Sequence, residues 1–192
     1  MNRPAAAVLV FFAAAAALPA SDVDAAIRAR AARVFSALDS IREEARSMTG
    51  RDPRRITISE DEINAYIACR IADENEPVLK DLRLKLLGGN TFEGLAAIDL
   101  GGAPGVGAFR GRMTLLFRGR VESGAGRVRL DFDDIFCEGQ RIQPDLLDFL
   151  ILVGSRLTGN EPFSLKDPFE LPEGIRGLEV GRGALVAVYG PA

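Results

Sequence analysis

The feature that most constrains the fold of this chain is an apolar stripe that starts just after residue 22. Apolar residues recur there at intervals of three or four: Val23, Ile27, Ala31, Val34, Leu38, Ile41, Ala45 and Met48. This spacing predicts one amphipathic helix, with Ser21 or Asp22 as its first cap and Gly50 at its end. Roughly 26 residues at 1.5 Å each extend about 39 Å. A helix of that length must lie across a whole layer of the fold, so the rest of the chain has to cover its apolar side.

The first twenty residues have the layout of a secretory signal peptide. Arg3 gives a positive start, residues 5–18 are apolar, and Leu18-Pro19-Ala20 offers a small residue for cleavage. The apolar run is shorter than the roughly 20 residues that span a bilayer, which favours a cleaved signal peptide. The alternative is that the segment stays uncleaved as a membrane anchor. We therefore expect cleavage near Ala20, a periplasmic or secreted protein, and a single folded domain over residues 21–192.

The chain of 192 residues contains no histidine, and this removes much of enzyme chemistry. Histidine acid–base catalysis, Ser-His and Cys-His nucleophile pairs and histidine metal ligands are all excluded. Ser-x-x-Lys and Gly-x-Ser-x-Gly motifs are absent as well. The net charge is −3 with no basic block, which argues against nucleic acid as a partner. We therefore expect a protein that is not an enzyme and that needs no cofactor and no metal.

After a short connector the periodicity changes from helix to strand. Ser59 and Glu62 have the spacing of a capping box, which predicts the start of a short second helix. From Val78 onward, apolar and polar residues alternate in four successive strands, the first two joined by a turn at Gly88-Gly89-Asn90. Pro144 opens a third helix, and a hairpin ends the chain. Local hairpins of this kind favour an α+β fold, an antiparallel sheet with helices on one face.

The hairpin around Ser123–Gly126 allows its register to be predicted. With these four residues as the loop, the expected cross-strand pairs are Glu122 with Arg127, Phe117 with Phe132, Arg118 with Asp131 and, less favourably, Arg120 with Arg129. A β-bulge near Asp133-Asp134 is expected to restore the alternation further along. The acidic side chains here are expected to form a solvated strand face partnered by arginines, rather than a calcium site.

The two cysteines, Cys69 and Cys137, have two interpretations. An even number of cysteines in an exported chain favours a disulfide between them. The alternative is a pair of buried free thiols that pack as small apolar side chains. Cys69 lies within a helix pattern and Cys137 at a strand end, so the distance between these two elements decides the outcome.

Three segments together resemble a known family. They are Ser59-Glu60-Asp61-Glu62-Ile63-Asn64-Ala65-Tyr66, Leu82-Arg83-Leu84-Lys85-Leu86 and Pro168-Phe169-Glu170-Leu171-Pro172-Glu173-Gly174-Ile175. With the long exported helix, they look like bacterial periplasmic phospholipid-binding proteins of the tubular lipid-binding (TULIP) type, whose actinobacterial branch includes mannan-elongation factors. The resemblance spans most of residues 22–189 but has no invariant signature. It implies a strongly curled antiparallel sheet wrapped around the long helix, with an acyl chain held between them.

The apolar faces of the predicted elements agree with such a pocket. The candidate lipid-binding residues are Val34, Leu38, Ile41, Ile67, Leu84, Ile98, Leu115, Phe117, Leu130, Phe132 and Leu150. Phospholipid or another acyl-chain lipid is the expected partner. Val106 and Phe109, in the glycine-rich loop Gly101–Phe109, are expected to contact a membrane surface while the pocket loads.

A non-catalytic module of the cell envelope is the alternative function. In that case the same elements pack into a dry core, no lipid binds, and an apolar patch on the surface, with the third helix as its candidate position, contacts a partner.

Overall fold

The computed structural model describes residues 24–47, 52–74, 78–99, 111–146, 148–149, 164 and 167–190. The signal segment 1–20, the loop Gly101–Phe109 and most of the third helix lie outside these ranges. The described chain is α+β, as predicted: a strongly curled antiparallel half-barrel sheet with one long N-terminal helix and short helices.

The helices are α1 (Ala25–Ser47) and α2 (Glu60–Asp73). The strands are β1 (Arg54–Ser59), β2 (Leu79–Gly88), β3 (Thr91–Asp99), β4 (Arg112–Gly124), β5 (Arg127–Cys137), β6 (Gln140–Ile142), β7 (Phe169–Glu170), β8 (Ile175–Gly181) and β9 (Ala184–Tyr189). Residues 144–146 and 148–149 are also helical, where Pro144 predicts a third helix.

The helix α1 confirms the apolar stripe that the sequence predicts. It has 23 residues, and the stripe residues that it buries or half-buries against the core are Ile27, Ala31, Val34, Leu38 and Ile41. Asp24 caps the start of α1, because its Oδ1 accepts a hydrogen bond from Ala26 N at 3.2 Å. The predicted caps Ser21 and Asp22, and Gly50 at the other end, lie outside the described residues.

The capping box that starts α2 is present. Ser59 N donates to Glu62 Oε2 at 2.8 Å, and Glu62 N donates to Ser59 Oγ at 3.3 Å. The backbone N–H of Ser59, and then its hydroxyl, lower the pKa of Glu62 by hydrogen bonding to the ionised carboxylate. Because Ser59 is also the last residue of β1, the chain passes from strand to helix with no intervening loop.

The larger sheet has six strands, with the order β2-β3-β4-β5-β6 and with β7 paired to a separate part of β5. Ala96, Leu115 and Cys137 are neighbours across β3, β4 and β5, and all three are buried. On the opposite face Leu95 and Leu116, one position away along their strands, are exposed. The inner, concave face of the curl is therefore the apolar one, as the period-two pattern predicts.

The predicted register of the β4–β5 hairpin is wrong by two positions next to the turn and by three beyond the register shift, where Phe117 pairs with Ile135 and Arg118 with Asp134. The turn has two residues, Ala125 and Gly126, with φ values of 50° and 75°, and Gly124 pairs with Arg127. Two central residues with positive φ are typical of the type I′ turn that matches the twist of the strands. The observed turn is therefore shorter than the expected four-residue loop Ser123–Gly126, and the paired strands extend further toward the tip of the hairpin.

This shift removes the predicted clash between like charges. Arg120 pairs with Asp131 rather than with Arg129. Arg129 instead lies opposite Glu122, and their side chains form an ion pair at 2.5 Å. The register change that the sequence predicts near Asp133 is present between Arg118 and Gly119 on the partner strand. Turn geometry thus selects a register with better paired charges.

A second sheet of three strands has the order β1-β9-β8, so the first strand of the described chain pairs with the last. Arg54 lies opposite Tyr189, and Ser59 lies opposite Ala184. The sequence predicts the β8–β9 hairpin but not this pairing with β1, because the two strands are separated by most of the chain.

The free edge of β8 is hydrogen-bonded to the turns of the larger sheet. The Ser123 hydroxyl donates to Leu178 O at 2.6 Å and accepts from Leu178 N at 2.7 Å. Asn90 N donates to Val180 O at 3.0 Å, while its Oδ1 accepts from Val180 N at 2.8 Å. Asn90 has a φ of 58°, a left-handed conformation that asparagine tolerates better than most residues. These hydrogen bonds give Leu178 and Val180 of β8 their partners on this edge and join the two sheets.

The free edge of β2 is covered by α2. The Asn64 side chain donates to Leu84 O and accepts from Leu84 N, each at 2.8 Å. The Glu60 carboxylate accepts from Leu86 N at 2.7 Å. An edge strand with unpaired backbone groups favours aggregation, so these two side chains both fix α2 on the sheet and protect that edge.

Candidate functional site

The candidate lipid-binding residues that the structure describes all belong to one hydrophobic core. Six of them are buried: Val34, Ile41, Ile67, Leu84, Ile98 and Leu115. The others, Leu38, Phe117, Leu130 and Phe132, are partly buried and pack against the same core. The helices α1 and α2 and the concave face of β2–β5 therefore bring these side chains together. Leu150, Val106 and Phe109 lie outside the described residues, and so does the proposed membrane-contact loop.

Three aromatic rings lie together on the concave face. The centroids of Phe92 and Phe132 are 6.0 Å apart, those of Phe117 and Phe132 are 5.7 Å apart, and those of Phe92 and Phe117 are 6.2 Å apart. All three pairs meet edge to face, an arrangement that aromatic rings favour. Two of the rings belong to the predicted lipid-binding set, and Phe92 joins them, which the sequence does not predict.

Two glycines make room for this aromatic cluster. A Cβ built on Gly94 would lie 2.1 Å from two ring atoms of Phe117, so the ring rests directly on the backbone of β3. A Cβ on Gly119 would lie 3.2 Å from the Phe92 ring and 2.5 Å from the carbonyl oxygen of Asp131. The cluster is therefore packed against bare backbone, which sets its distance from the sheet.

The helices contribute a second aromatic contact. Phe35 of α1 and Tyr66 of α2 have ring centroids 4.8 Å apart, and Arg33 pairs with Glu62 at 3.0 Å across the same two helices. Burial raises the pKa of the Tyr66 phenol to about 12, so the hydroxyl stays protonated at neutral pH. The long helix is thereby fixed on α2, and α2 in turn on the edge of the sheet.

Arg70 of α2 is buried in the interior, which the sequence analysis does not predict. Its side chain is 4% exposed and is paired with Glu74. Among the side chains that the structure describes, Arg70 Nε is the one buried nitrogen or oxygen without a hydrogen-bond partner. The signal in the sequence is an arginine at an apolar position of the helical repeat, between Ile67 and Ile71.

Of the two interpretations of the cysteines, the structure has the pair of buried free thiols and not the disulfide. Cys69 and Cys137 are both free and buried, and Cys137 Sγ lies 4.0 Å from Met113 Sδ. Cys69 belongs to α2, which packs beside β2, whereas Cys137 ends β5, three strands further along the sheet. Burial raises the pKa of both thiols, which disfavours the reactive thiolate.

The acidic side chains of β5 form ion pairs on the outer face of the sheet. Asp134 pairs with Arg141 at 2.7 Å, and Asp133 lies 3.7 Å from Arg120. These pairs confirm the expected arginine-partnered strand face. Within the described ranges, no three histidine, cysteine, aspartate or glutamate side chains come together as a possible metal site.

A row of apolar side chains crosses the convex face of the larger sheet. Leu95 and Leu116 are cross-strand partners that are 37% and 47% exposed, and the half-buried Phe136 lies opposite Leu116. Arg83 and Arg141 lie at the two ends of this row. The exposed apolar surface therefore includes the back of the sheet, whereas the sequence offered only the third helix as its position.

An open depression of about 390 Å³ lies beside the C-terminal half of α1, away from the concave face. Its described lining is Asp39, Arg42, Glu43, Arg46 and Ser47. These residues are on the side of α1 opposite the buried Ile41, so the depression does not extend the apolar interior.

Comparison with family models, with curated proteins and with solved structures finds no match for this chain. Among the described residues, no helix combines the length and the apolar character that crossing a membrane requires.

Proposed function

We propose that this protein is an exported lipid-binding or lipid-transfer protein that holds an acyl chain between its helices and the concave face of the curled sheet. The single observation that carries the proposal is the curl. It directs the apolar residues of four strands and two helices into one interior, and an apolar interior of this kind is compatible with a pocket for an apolar ligand. The resemblance to TULIP-type periplasmic proteins supports the same conclusion.

The proposal assigns binding rather than catalysis to this interior. The chain has no histidine, and most of the described side chains in this interior are aliphatic or aromatic, with Arg70 the buried charged residue. We also propose that residues 1–20 direct export and that Val106 and Phe109 contact the membrane during loading. Deletion of residues 101–109 should then slow lipid extraction from vesicles, and unchanged rates would remove that role.

A non-catalytic envelope module is a second candidate, and one observation favours it. The apolar row on the convex face, with Leu116 about half exposed, is a surface suited to a protein partner. On this alternative the aromatic cluster Phe92–Phe117–Phe132 fills the interior as an ordinary core.

The two candidates are separated by substitutions at two adjacent residues of β4 that face opposite sides of the sheet. Leu115 is 4% exposed on the concave face, and Leu116 is 47% exposed on the convex face. The purified full chain is incubated with phosphatidylglycerol vesicles and then separated from them. Native mass spectrometry measures the mass of the protein, with any bound lipid, before and after organic extraction. Lipid binding predicts an adduct that disappears on extraction.

Leu115→Phe should reduce the adduct about tenfold, because one added group in a tight apolar pocket changes affinity by that order. Leu116→Phe adds the same volume outside and should leave the adduct unchanged. Thermal unfolding of both variants shows whether each is folded. If the unmodified protein acquires no lipid, the proposal of a lipid-binding pocket is wrong and the envelope module is favoured.

A further inference from the structure

The buried guanidinium of Arg70 is only partly paired. Its Nη2 donates to Glu74, whose own side chain is 30% exposed, while Nε is buried with no hydrogen-bond partner. An arginine presents five N–H donors in a rigid fork, and Nε and Nη2 together form the edge that receives two oxygens of one anion. In Arg70 one of these two positions is occupied and the other is open.

An open position of this kind is unusual in a folded protein. A buried donor without a partner costs free energy that a paired one does not, and most buried polar groups have a partner for that reason. Glu74 Oε1 accepts from Nη2 while Nε has no partner, so the two donors of this edge are only half paired. An oxygen atom of a ligand is one partner that such a donor can bind, and a buried donor without a partner calls for an explanation of this kind.

The position of Arg70 on α2 places it toward the interior. Asn64 marks the side of the helix that faces β2, and Tyr66 marks the side that faces α1. Arg70 follows Ile63 by seven residues and Ile67 by three, so it shares their side of the helix. Ile63 and Ile67 are 4% and 0% exposed, which identifies this side as the one in the core.

We propose that Arg70 is an anion-binding residue, and that its open Nε–H binds an oxyanion head group of the acyl-chain ligand while Nη2 stays paired with Glu74. This inference rests on the proposed function, because the head group is brought to a buried arginine by the apolar chain attached to it. A carboxylate of a fatty acid and a phosphate of a phospholipid both supply the required oxygens. Glu74, whose side chain is partly exposed, holds the guanidinium in place through Nη2 when no ligand is bound.

The test compares an anionic ligand with an uncharged one of the same chain, and adds a phospholipid. Oleate and methyl oleate have the same chain, and the ester lacks the anion; dioleoyl phosphatidylglycerol supplies a phosphate instead. Each is titrated against the full chain by displacement of an environment-sensitive fluorescent fatty acid ester. The unmodified protein should bind oleate or phosphatidylglycerol about tenfold or more tightly than methyl oleate, as expected for a hydrogen bond to a charged group.

Arg70→Met is the diagnostic variant, because methionine keeps the length and apolar contacts of the side chain without its charge. The matched control is Arg83→Met, since Arg83 is 75% exposed and lies on the outer side of the sheet. Arg70→Met should abolish the preference for the anionic ligand while affinity for methyl oleate stays within about twofold, and Arg83→Met should change neither.

The outcomes distinguish the two proposals. Loss of affinity for oleate alone assigns the site to a fatty-acid carboxylate, and loss for phosphatidylglycerol alone assigns it to a lipid phosphate. Equal affinity of the unmodified protein for oleate, phosphatidylglycerol and methyl oleate overturns the role of Arg70 but leaves lipid binding in place, whether or not Arg70→Met folds. If the unmodified protein binds none of the three, both proposals fail.

Discussion

Gly94→Ala tests whether the aromatic cluster is packed as tightly against the sheet as the structure indicates. Gly94 of β3 lies opposite Phe117 of β4, and an added Cβ would come 2.1 Å from the ring atoms Cε2 and Cζ. The ring cannot simply swing aside, because its neighbours Phe92 and Phe132 have centroids 6.2 and 5.7 Å away. The substitution therefore forces either the ring out of its rotamer or the two strands apart.

We expect Gly94→Ala to destabilise the protein by about 2 kcal/mol. Overpacking of a core typically costs about 1–3 kcal/mol, and replacing glycine by alanine returns roughly 0.4–1 kcal/mol by restricting the unfolded chain. For a domain of this size, about 2 kcal/mol corresponds to a fall in Tm of about 4–8 °C. Urea unfolding followed by far-ultraviolet circular dichroism measures the change; the chain has no tryptophan to report it by fluorescence.

Gly124→Ala is the control, because a Cβ at Gly124, also a strand residue of the larger sheet, meets no atom within 4 Å. It should change the free energy of unfolding by less than about 0.5 kcal/mol. In the double variant, Phe117→Leu should relieve the clash, giving a coupling energy of about 0.5–3 kcal/mol between the two positions. Gly94→Ala as stable as the unmodified protein, or simple additivity with Phe117→Leu, would refute this account of the cluster.

Three further outcomes follow from other contacts. Asn64→Ala should cost about 2 kcal/mol in urea unfolding, since it leaves a backbone N–H and C=O of the edge strand β2 without their partner; a cost below about 0.5 kcal/mol would contradict the edge role. Glu62→Gln should lose about 0.3–1 kcal/mol near neutral pH, because glutamine can keep the capping hydrogen bonds but lacks the negative charge beside Arg33 and the helix N-terminus. Ser59 lowers the folded-state pKa of Glu62 below its ordinary value of 4.5, so the loss should be complete above pH 4.5 and disappear as the pH falls through the folded-state pKa; a loss independent of pH would contradict a stabilising role of the ionised carboxylate. Cys69 and Cys137 should both be unreactive toward a thiol reagent in the native protein and should both react after denaturation, whereas an oxidised pair would be lighter by about two hydrogens in intact mass.

The interior illustrates how far the sequence predicts the candidate site. The spacing of Val34, Ile41, Leu84 and Leu115 marks them as buried, and all four are. Periodicity reports which face of an element is apolar, because burial follows the repeat of the helix or strand. It does not report which residues from different elements touch, so the sequence did not predict that Phe92 completes the aromatic cluster. Nor did it identify Arg70, because an apolar stripe does not show whether a charged member is buried.

Local structure was determined by the sequence itself. The stripe of α1, the Ser59–Glu62 capping box and the alternation of the strands depend on residues a few positions apart, so short-range physics is sufficient to specify them. The β4–β5 register was the exception. Ala125 adopts a positive φ that alanine normally avoids. The pairing along the whole length of the two strands determines this conformation, and residues close to the turn do not.

The tertiary structure alone decided how these elements assemble. The pairing of Arg54 with Tyr189 and the hydrogen bonds of Ser123 and Asn90 to β8 join segments far apart in the chain. Cys69 and Cys137 remain free thiols in this arrangement. Many long-range pairings are compatible with the same local patterns. The one adopted is the one that buries the apolar faces together while completing the hydrogen bonds of both sheet edges, β2 and β8.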